Sequence, residues 1–260
     1  MNHPFITIAE KAARLAGRMM RQAVDRLDKV KISEKSQNDF VTEVDQRSEA
    51  MIIDAIREAY PSHSILGEEG GAIAGDETQW IIDPLDGTAN FIHGFPHFSI
   101  SIAVKQQGRL EAALIYDPLR DEMFIAARGK GAQLNQRKIR VSQVKKLSES
   151  FLGTGFPYKE MKNFPSYLKM FETITPLSSN IRRAGSAALD LAYVACGRLD
   201  GFWEYGLSPW DMAAGILLIR EAGGMVSDFQ GGENYFESGQ VVAGTPGILK
   251  ELLKIIRPLT

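Results

Sequence analysis

The sequence predicts an α/β fold, and three observations indicate this class. Two amphipathic helical patterns open the chain, with apolar residues three and four positions apart. Short alternating runs bounded by turn residues follow from Phe98 to Val141, which is typical of an antiparallel meander. After Leu147, strand-like and helix-like segments alternate. We therefore expect N-terminal helices with an antiparallel meander sheet, followed by a C-terminal α/β part.

The two opening helices are predicted near Ile6 to Leu27 and near Thr42 to Tyr60. Apolar residues recur along one face of the first helix. The second helix begins with a capping pattern from Thr42 to Asp45 and ends before Pro61. Capping of the helix is a structural role that would by itself account for an aspartate at position 45.

Two further helices are predicted in the second half of the chain. One runs from Ser186 to Ala195 and ends at Gly197, and the other runs from Pro209 to Ala222 and ends at a glycine pair. The segment Gly70 to Asp76 (GGAIAGD) has the composition of a flexible loop. No linker separates the two halves, so we expect one compact unit.

The composition is that of an ordinary globular protein. The 260 residues include 44% hydrophobic and 24% charged residues, a balance that favours a folded chain over disorder. The 30 basic and 32 acidic residues give a net charge of -2, and no basic run is longer than a pair such as Lys145-Lys146. Direct nucleic-acid binding is therefore not expected.

The single cysteine, Cys196, cannot form an internal disulfide and lies in an apolar helical pattern, so we expect it to be a packing residue. The N-terminal apolar residues recur at helical spacing instead of forming a continuous signal-peptide core. No stretch is long and apolar enough to predict a membrane span. These features favour a cytoplasmic protein.

The most informative segment is Trp80 to Phe91 (WIIDPLDGTANF), in which an apolar strand leads into two carboxylates. Asp83 is expected where the strand ends, and Pro84 fixes the turn so that Asp86 points to the same place. Carboxylates and a turn carbonyl such as that of Leu85 are ligands that suit Mg²⁺. The N–H groups that follow Asp86 would face an anion, so the segment predicts a metal and phosphate site.

Two other acidic segments strengthen this interpretation. The pair Glu68-Glu69 follows the apolar run Ser64 to Leu66, so it also lies at a predicted strand end. Asp211 follows Ser208 and Pro209 at a predicted helix start, where it could serve as a cap alone. The alternative for all of these acidic residues is a purely structural role, in which they only form turns and helix caps.

Four blocks in this order make the chain resemble the inositol monophosphatase family of metal-dependent phosphatases, and its bacterial members most of all. They are Lys35 to Asp45 (KSQNDFVTEVD), Gly67 to Gly70 (GEEG), Trp80 to Phe91, and Leu207 to Gly224 (LSPWDMAAGILLIREAGG). A fifth block, Gly185 to Glu204, lies between them. Several ordered blocks are far more specific than one motif. The resemblance implies a layered αβαβα sandwich.

The resemblance also implies different roles for the two halves of the chain. Residues 1–145 would form an N-terminal metal-binding α+β part, and residues 146–260 would form a C-terminal α/β part that completes the active site. One Mg²⁺ would be held by Glu68, Asp83 and the Leu85 carbonyl. A second would be held by Asp83, Asp86 and Asp211, so that Asp83 bridges the two ions.

The family implies direct attack of water on phosphorus, without a protein nucleophile. Thr88 would orient the water and Asp45 would position Thr88; these two residues and Glu68 are the implied catalytic residues. From the sequence alone, Thr88 could equally be a helix cap. Lys35 matches a mobile-loop lysine of the family near the metals.

Substrate contacts are implied for both halves of the chain. Glu204 matches a family glutamate that binds substrate hydroxyls, and a carboxylate can accept two hydrogen bonds from a polyol. The nearby acids Asp190 and Asp200 are interpreted as structural. The full implied substrate-binding set is Asp86, Gly87, Thr88, Ala187, Glu204 and Asp211.

One departure from the family concerns the acidic pair at residues 68 and 69. Gly70 stands where serine is frequent, and a glycine would loosen the loop, which puts the helper role of Glu69 in doubt. His93 and His97 lack partners at metal-ligand spacing and are expected to have ordinary core or surface roles.

The predicted function is a Mg²⁺-dependent phosphomonoesterase acting on inositol monophosphates and related polyol phosphates. The resemblance also implies inhibition by lithium and a homodimer. Within the same superfamily, nucleotide 3'-phosphatases and fructose-1,6-bisphosphatases are the enzymatic alternatives. From another class, the alternative is a regulatory protein that acts in ribosomal RNA transcription and maturation through protein partners, since bacterial family members have this role.

Overall fold

The computed structural model describes residues 3–36 and 39–260. The helices are α1 (Pro4–Val24), α2 (Glu43–Ala59), α3 (Thr88–Ile92), α4 (Phe164–Ile174), α5 (Ala187–Ala195), α6 (Pro209–Glu221), α7 (Tyr235–Ser238) and α8 (Pro246–Ile256). The first ten strands are β1 (Ile32–Ser36), β2 (Asp39–Thr42), β3 (Ser64–Gly67), β4 (Gly71–Ile73), β5 (Thr78–Asp86), β6 (Ser99–Gln106), β7 (Arg109–Asp117), β8 (Glu122–Ala127), β9 (Gly131–Leu134) and β10 (Arg137–Lys138). The last five are β11 (Phe151–Thr154), β12 (Asn180–Arg182), β13 (Gly201–Glu204), β14 (Met225–Ser227) and β15 (Val241–Gly244).

The larger sheet has eight strands in the order β10-β9-β8-β7-β6-β5-β3-β4. Strands β5 to β10 form an antiparallel meander, as the alternating runs predict. Strand β3 is parallel to β5, which brings the carboxyl ends of these two strands to the same edge. The segments after β3 and at the end of β5 therefore lie side by side.

The second sheet has five strands in the order β12-β11-β13-β15-β14. Strand β11 pairs in parallel with β12 and β13, and β15 pairs antiparallel with β13 and β14. Strands β1 and β2 pair antiparallel as a separate two-stranded sheet just before α2. The C-terminal half is therefore a mixed α/β unit, as predicted.

Helices and sheets alternate in five layers. Helices α1 and α2 cover one face of the eight-stranded sheet. Helices α5 and α6 lie between the two sheets and pack on both of them, and α4 and α8 cover the outer face of the five-stranded sheet. The predicted α/β class and the layered αβαβα sandwich are confirmed. The division at residue 145 stays a prediction, because α5 and α6 share one core with both sheets.

Local sequence signals explain where the main helices begin. In α2, Thr42 and Asp45 form a reciprocal capping box, in which Thr42 N–H donates to Asp45 Oδ2 at 2.8 Å. In α5, the Ser186 side chain accepts a hydrogen bond from Leu189 N–H. The four predicted helices correspond to α1, α2, α5 and α6, and their bounds differ by up to three residues from the prediction. Such differences are usual, because helix ends fray.

The predicted flexible loop from Gly70 to Asp76 is wrong in part. Residues Gly71 to Ile73 form strand β4, which pairs antiparallel with β3 at the edge of the larger sheet. The backbone turns tightly between them, where Gly71 has a positive φ of 70°. Composition alone does not distinguish a glycine that bends a hairpin from one that belongs to a mobile loop.

No helix in residues 3–36 and 39–260 is long and apolar enough to cross a membrane.

The middle layer depends on close contact between α5 and α6. A Cβ atom at Gly215 of α6 would lie 2.5 Å from Leu191 Cβ of α5. We expect Gly215→Ala to lower the free energy of unfolding by about 1–3 kcal/mol, because overpacking outweighs a gain in helix propensity of about 1 kcal/mol. Urea unfolding measures this change. The exposed substitution Lys169→Ala in α4 is the control and should stay within about 0.5 kcal/mol; a stabilised Gly215→Ala protein would contradict the packing argument.

Candidate active site

A bulge at the end of β5 brings two carboxylates to one place. Along a regular strand, side chains three residues apart point to opposite faces. The pairing of β5 with β6 shifts between Asp83 and Asp86, and this irregularity turns both side chains toward one cavity. The turn is held by Leu85 N–H, which donates to Asp83 Oδ1 at 3.0 Å. The predicted convergence of these two residues is therefore present.

A third carboxylate comes from the start of α6. Asp211 accepts a hydrogen bond from Ser208 N–H at 2.7 Å, so it does cap the helix. Asp211 also lines the cavity, and carboxylate oxygens of Asp83, Asp86 and Asp211 all lie within 4.8 Å of one another. Asp211 is thus both a cap and a member of the acidic cluster, and the two readings do not compete.

Burial and mutual repulsion perturb the cluster strongly. Burial raises the pKa of Asp83 well above its usual range, and the charges of Glu68, Asp86 and Asp211 raise it further. Burial and the charge of Asp211 raise the pKa of Asp86 to about 7. Three hard oxygen donors that repel one another are what a divalent cation neutralises. The donor set therefore fits a divalent cation.

Glu68 and Leu85 lie at the edge of the same cluster. Glu68 follows β3 and its N–H donates to the Ile82 carbonyl of β5 at 3.2 Å, which fixes the residue beside Asp83. Both Glu68 and Leu85 line the cavity. The parallel pairing of β3 with β5 thus places the second predicted strand end next to the first, although the two are separated by more than a dozen residues in sequence.

Thr88 contacts the acidic residue that the family resemblance assigns to it. Its hydroxyl lies 2.9 Å from Asp45 Oδ1 and 3.0 Å from the Leu85 carbonyl oxygen. The N-cap of α3 is Gly87, so the hydroxyl of Thr88 does not cap this helix. Burial raises the pKa of Asp45, while hydrogen bonds from Thr42 and Thr88 lower it. Asp45 therefore caps α2 and holds Thr88 at the same time.

Gly87 has the backbone conformation that its position demands. Its φ is 94°, a left-handed value that favours glycine, and a Cβ atom there would lie 3.0 Å from the His97 carbonyl oxygen. The residue lines the cavity next to the acidic cluster. A side chain at this point would strain the turn that separates Asp86 from Thr88.

Asp86 joins the two halves of the chain. Its Oδ2 accepts a hydrogen bond from the Ser186 hydroxyl at 2.5 Å and one from Ala188 N–H at 2.8 Å. Both donors belong to the first turn of α5, where Ala187 also lines the cavity. The middle-layer helix is thereby fixed to the end of β5, and the predicted substrate residue Ala187 lies next to the predicted ligand Asp86.

The opposite wall of the cavity is also acidic. Glu204 ends β13, and its carboxylate lies over Gly155, where a Cβ atom would come within 1.9 Å of Glu204 Oε1. Burial raises the pKa of Glu204 well above its usual range, and the charge of Asp190 adds to this increase. The cavity between this wall and the cluster has a volume of about 180 Å³. Space of this size suits a small polar ligand.

Two residues on the cavity wall were not predicted. Asp190, interpreted as structural from the sequence, is buried and lines the cavity, and burial raises its pKa well above the usual range. Arg183 also lines the cavity, with its guanidinium stacked over the rings of Phe156 and Tyr158. A helical phase argument would have placed Asp190 one turn from Ser186, but no pattern in the sequence indicates the stacking of Arg183.

Other predicted residues have less direct relations to the site. The side chain of Lys35 lies outside the described residues. The N–H of Glu69 donates to Glu49 on α2, and Glu69 is close enough to Asp45 for its charge to raise the pKa of that residue. Cys196 is half-buried after the end of α5, and burial raises the pKa of its thiol, which fits a packing role.

His97 is a core residue, as expected. It is buried, and burial lowers its pKa to about 4. Asp200 is also structural, because it accepts a hydrogen bond from Phe151 N–H at 2.7 Å within the five-stranded sheet. Neither residue lines the cavity.

A layered α/β sandwich whose sheet edge and helix start bring several carboxylates to one cavity defines a class of phosphatases that depend on divalent metals. The chain belongs to the inositol monophosphatase family, whose family model matches residues 1–258. The resemblance seen in the sequence blocks is thereby confirmed over nearly the whole length.

Individual relatives agree with this assignment. The chain is 53% identical over 261 residues to a protein named Nus factor SuhB from Pseudomonas aeruginosa, covering 98% of this chain and 96% of the relative. The crystal structure of extragenic suppressor protein suhB from Bartonella henselae has a TM-score of 0.96 and 40% identity, covering 98% of this chain and 99% of that one. The structure of Staphylococcus aureus inositol monophosphatase II with inositol monophosphate bound has a TM-score of 0.83 and 29% identity, covering 98% and 95% of the two chains.

The raised pKa of Asp86 predicts how metal binding depends on pH. In the metal-free protein this pKa is about 7, above the ordinary value of 3.8, so folding favours the protonated form. The stability of the metal-free protein should therefore fall as the pH rises from about 4 to 7. Mg²⁺ must displace the proton, so its affinity should rise by up to about tenfold per pH unit over the same range.

Titration calorimetry in buffers of different ionisation enthalpy measures both the affinity and the protons released. Urea unfolding of the metal-free protein at each pH measures the opposite trend in stability. A Mg²⁺ affinity that does not change between about pH 5.5 and 7.5 would show that Asp86 is already ionised before the metal binds.

Proposed function

We propose that the protein is a Mg²⁺-dependent phosphomonoesterase that hydrolyses inositol monophosphates and related polyol phosphates. The observation that carries this proposal is the cluster of Asp83, Asp86 and Asp211, whose oxygens lie within 4.8 Å of one another on the wall of a small cavity. The opposite wall carries Glu204, a hydrogen-bonding group for hydroxyls. Family membership and the bound ligand of the S. aureus structure support the same substrate class.

The carboxylates divide into two overlapping ligand sets. Glu68, Asp83 and the Leu85 carbonyl would hold one Mg²⁺, and Asp83, Asp86 and Asp211 would hold a second. When bound, the metal would neutralise phosphoryl oxygens and lower the pKa of water so that a nucleophile is available near neutral pH. Asp83, which both sets share, is the most deeply buried of the four carboxylates, with 1% of its surface exposed.

The remaining groups orient the reactants. The Thr88 hydroxyl donates a hydrogen bond to Asp45 and lines the cavity at the turn after Asp86. Its oxygen would accept a hydrogen bond from the attacking water and so fix the orientation of that water. Backbone N–H groups of Gly87 and Thr88 would bind phosphoryl oxygens. No protein nucleophile is required, and Cys196 does not line the cavity. Direct transfer to water follows from this arrangement.

Substrate selectivity is assigned to the C-terminal wall. Ala187 and Glu204 would contact the polyol, and Arg183 lines the same cavity, with its guanidinium over two aromatic rings. Glu204 hydrogen-bonds hydroxyl groups, which distinguishes a polyol from an aromatic or alkyl phosphate. A homodimer and a cytoplasmic location complete the proposal and rest on the family resemblance.

A second function is favoured by the name of the P. aeruginosa relative, Nus factor SuhB, which is 53% identical. We propose that the chain also acts in transcription through protein partners. The near-neutral net charge of -2 favours protein contacts over bare nucleic acid. A pulldown that compares the wild type with a variant lacking the metal site separates this role from catalysis, because partner binding should persist in that variant.

Asp83→Asn tests the metal assignment. Loss of the shared charge should leave both ions under-coordinated and lower kcat for inositol monophosphate by at least about a hundredfold, while the fold persists. Phosphate release is measured with Mg²⁺ on a panel of inositol monophosphate, glycerol phosphate, fructose bisphosphate and phosphoadenosine phosphate, alongside thermal unfolding. Near-native turnover in folded Asp83→Asn would refute the shared-ligand assignment.

The same panel distinguishes the alternative enzymes, because a preference for phosphoadenosine phosphate or fructose bisphosphate would replace the proposed substrate class. Asp200→Asn is a matched control, since Asp200 is a buried acid that holds a backbone N–H outside the cavity. It should lower stability without changing the order of substrates.

Glu204→Ala tests the substrate wall separately from the metal ligands. Removal of a hydrogen-bonding carboxyl should lower kcat/KM for inositol monophosphate by about tenfold or more. p-Nitrophenyl phosphate has no polyol, so its hydrolysis should change little. Glu204→Gln keeps the length of the side chain and one acceptor oxygen and should have an intermediate effect. An equal loss for both substrates would place Glu204 in the catalytic or structural core instead.

A further inference from the structure

The loop that carries Glu68 and Glu69 is held from behind by a buried carboxylate. Glu49 lies on α2, is only 4% exposed and does not line the cavity. Its Oε2 accepts a hydrogen bond from Glu69 N–H at 3.0 Å, and its Oε1 accepts one from Gly70 N–H at 2.6 Å. Both carboxylate oxygens are thus used by two successive N–H groups directly after Glu68.

The two glycines of this segment leave room for that carboxylate. A Cβ atom at Gly67 would lie 2.3 Å from Glu49 Oε2, and one at Gly70 would lie 2.7 Å from Glu49 Oε1. Gly70 therefore has a partner that the expectation of a loosened loop did not include: its N–H is bound, and its missing side chain allows the contact. The motif Gly-Glu-Glu-Gly encloses the end of the Glu49 side chain.

Helix α2 supports the cluster at two points one turn apart. Asp45 binds the Thr88 hydroxyl after β5, and Glu49, four residues later on the same face, binds the backbone after β3. The relative position of Glu68 and Asp83 thus depends on one rigid helix as well as on the pairing of their strands.

We propose that Glu49 is a positioning residue that fixes the loop after β3 so that Glu68 can serve as a metal ligand. The expected consequence of this positioning is a higher Mg²⁺ affinity, and that consequence rests on the proposed function. Glu49 acts through the backbone of residues 69 and 70 and touches neither metal nor substrate. A bidentate carboxylate is suited to this task because charge-assisted hydrogen bonds are shorter and stronger than neutral ones.

Glu49→Gln keeps the size of the side chain but presents an amide NH₂ to one of the two N–H groups. In the metal-free protein, hydrogen exchange of the Glu69 and Gly70 amides should accelerate by about tenfold or more, since a charged hydrogen bond is lost. Calorimetric Mg²⁺ affinity should fall by a comparable factor. The Mg²⁺ concentration for half-maximal activity should rise, while KM for substrate at saturating Mg²⁺ stays nearly constant.

Glu221→Gln is the matched control. Glu221 also binds two loop N–H groups, those of Gly129 and Gly131 at 2.8 Å each, and it does not line the cavity. It should accelerate exchange at residues 129 and 131 without changing Mg²⁺ affinity. Gly67→Ala provides a second variant, because the new Cβ would displace the Glu49 carboxylate without removing it; it should reproduce both effects of Glu49→Gln.

Two results would overturn the inference. Unchanged exchange at residues 69 and 70 in Glu49→Gln would show that the carboxylate does not hold the loop. Faster exchange with unchanged Mg²⁺ affinity would show that the loop is held for stability alone. If the wild type binds no Mg²⁺, the proposed function fails and positioning for a metal fails with it, while the exchange data still decide whether Glu49 holds the loop.

Discussion

The repulsion among clustered carboxylates is the constraint on which the rest of the site depends. Asp83, Asp86 and Asp211 have oxygens within 4.8 Å of one another, and burial raises the pKa values of the first two. A fold keeps such an arrangement only if other interactions oppose the repulsion. Here those interactions are the β5 bulge, the cap of α6 and the hydrogen bonds from the first turn of α5 to Asp86.

The acidic residues of the site therefore have structural partners in addition to their proposed chemical roles. Asp45 caps α2 and binds Thr88, and Asp211 caps α6 and joins the cluster. A choice between cap and catalyst is not required, because a carboxylate has several lone pairs and each oxygen can serve a different partner. Substitutions at these residues will consequently change stability and activity together, and the two must be measured separately.

The sequence predicted the fold class, four of the eight helices of the described residues and most of the cluster, because those features arise from local periodicity, caps and a short motif. It could not show how residues distant in sequence meet. The contact of Glu49 with residues 69 and 70 and the presence of Asp190 on the cavity wall depend on the packing of α2 and α5. The same limit applies to the expectation for Gly70, since the conformational freedom of a glycine is visible in the sequence and its partner Glu49 is not.

The hydrogen bonds from Ser186 and Ala188 to Asp86 connect residues about 100 positions apart. Such a contact forms only after most of the chain has been synthesised and the middle layer has docked on the larger sheet. During synthesis, Asp83 and Asp86 emerge from the ribosome well before Asp211. A nascent chain thus carries an incomplete set of acidic residues until Asp211 has been synthesised, and the cluster is complete only when α6 has packed between the two sheets.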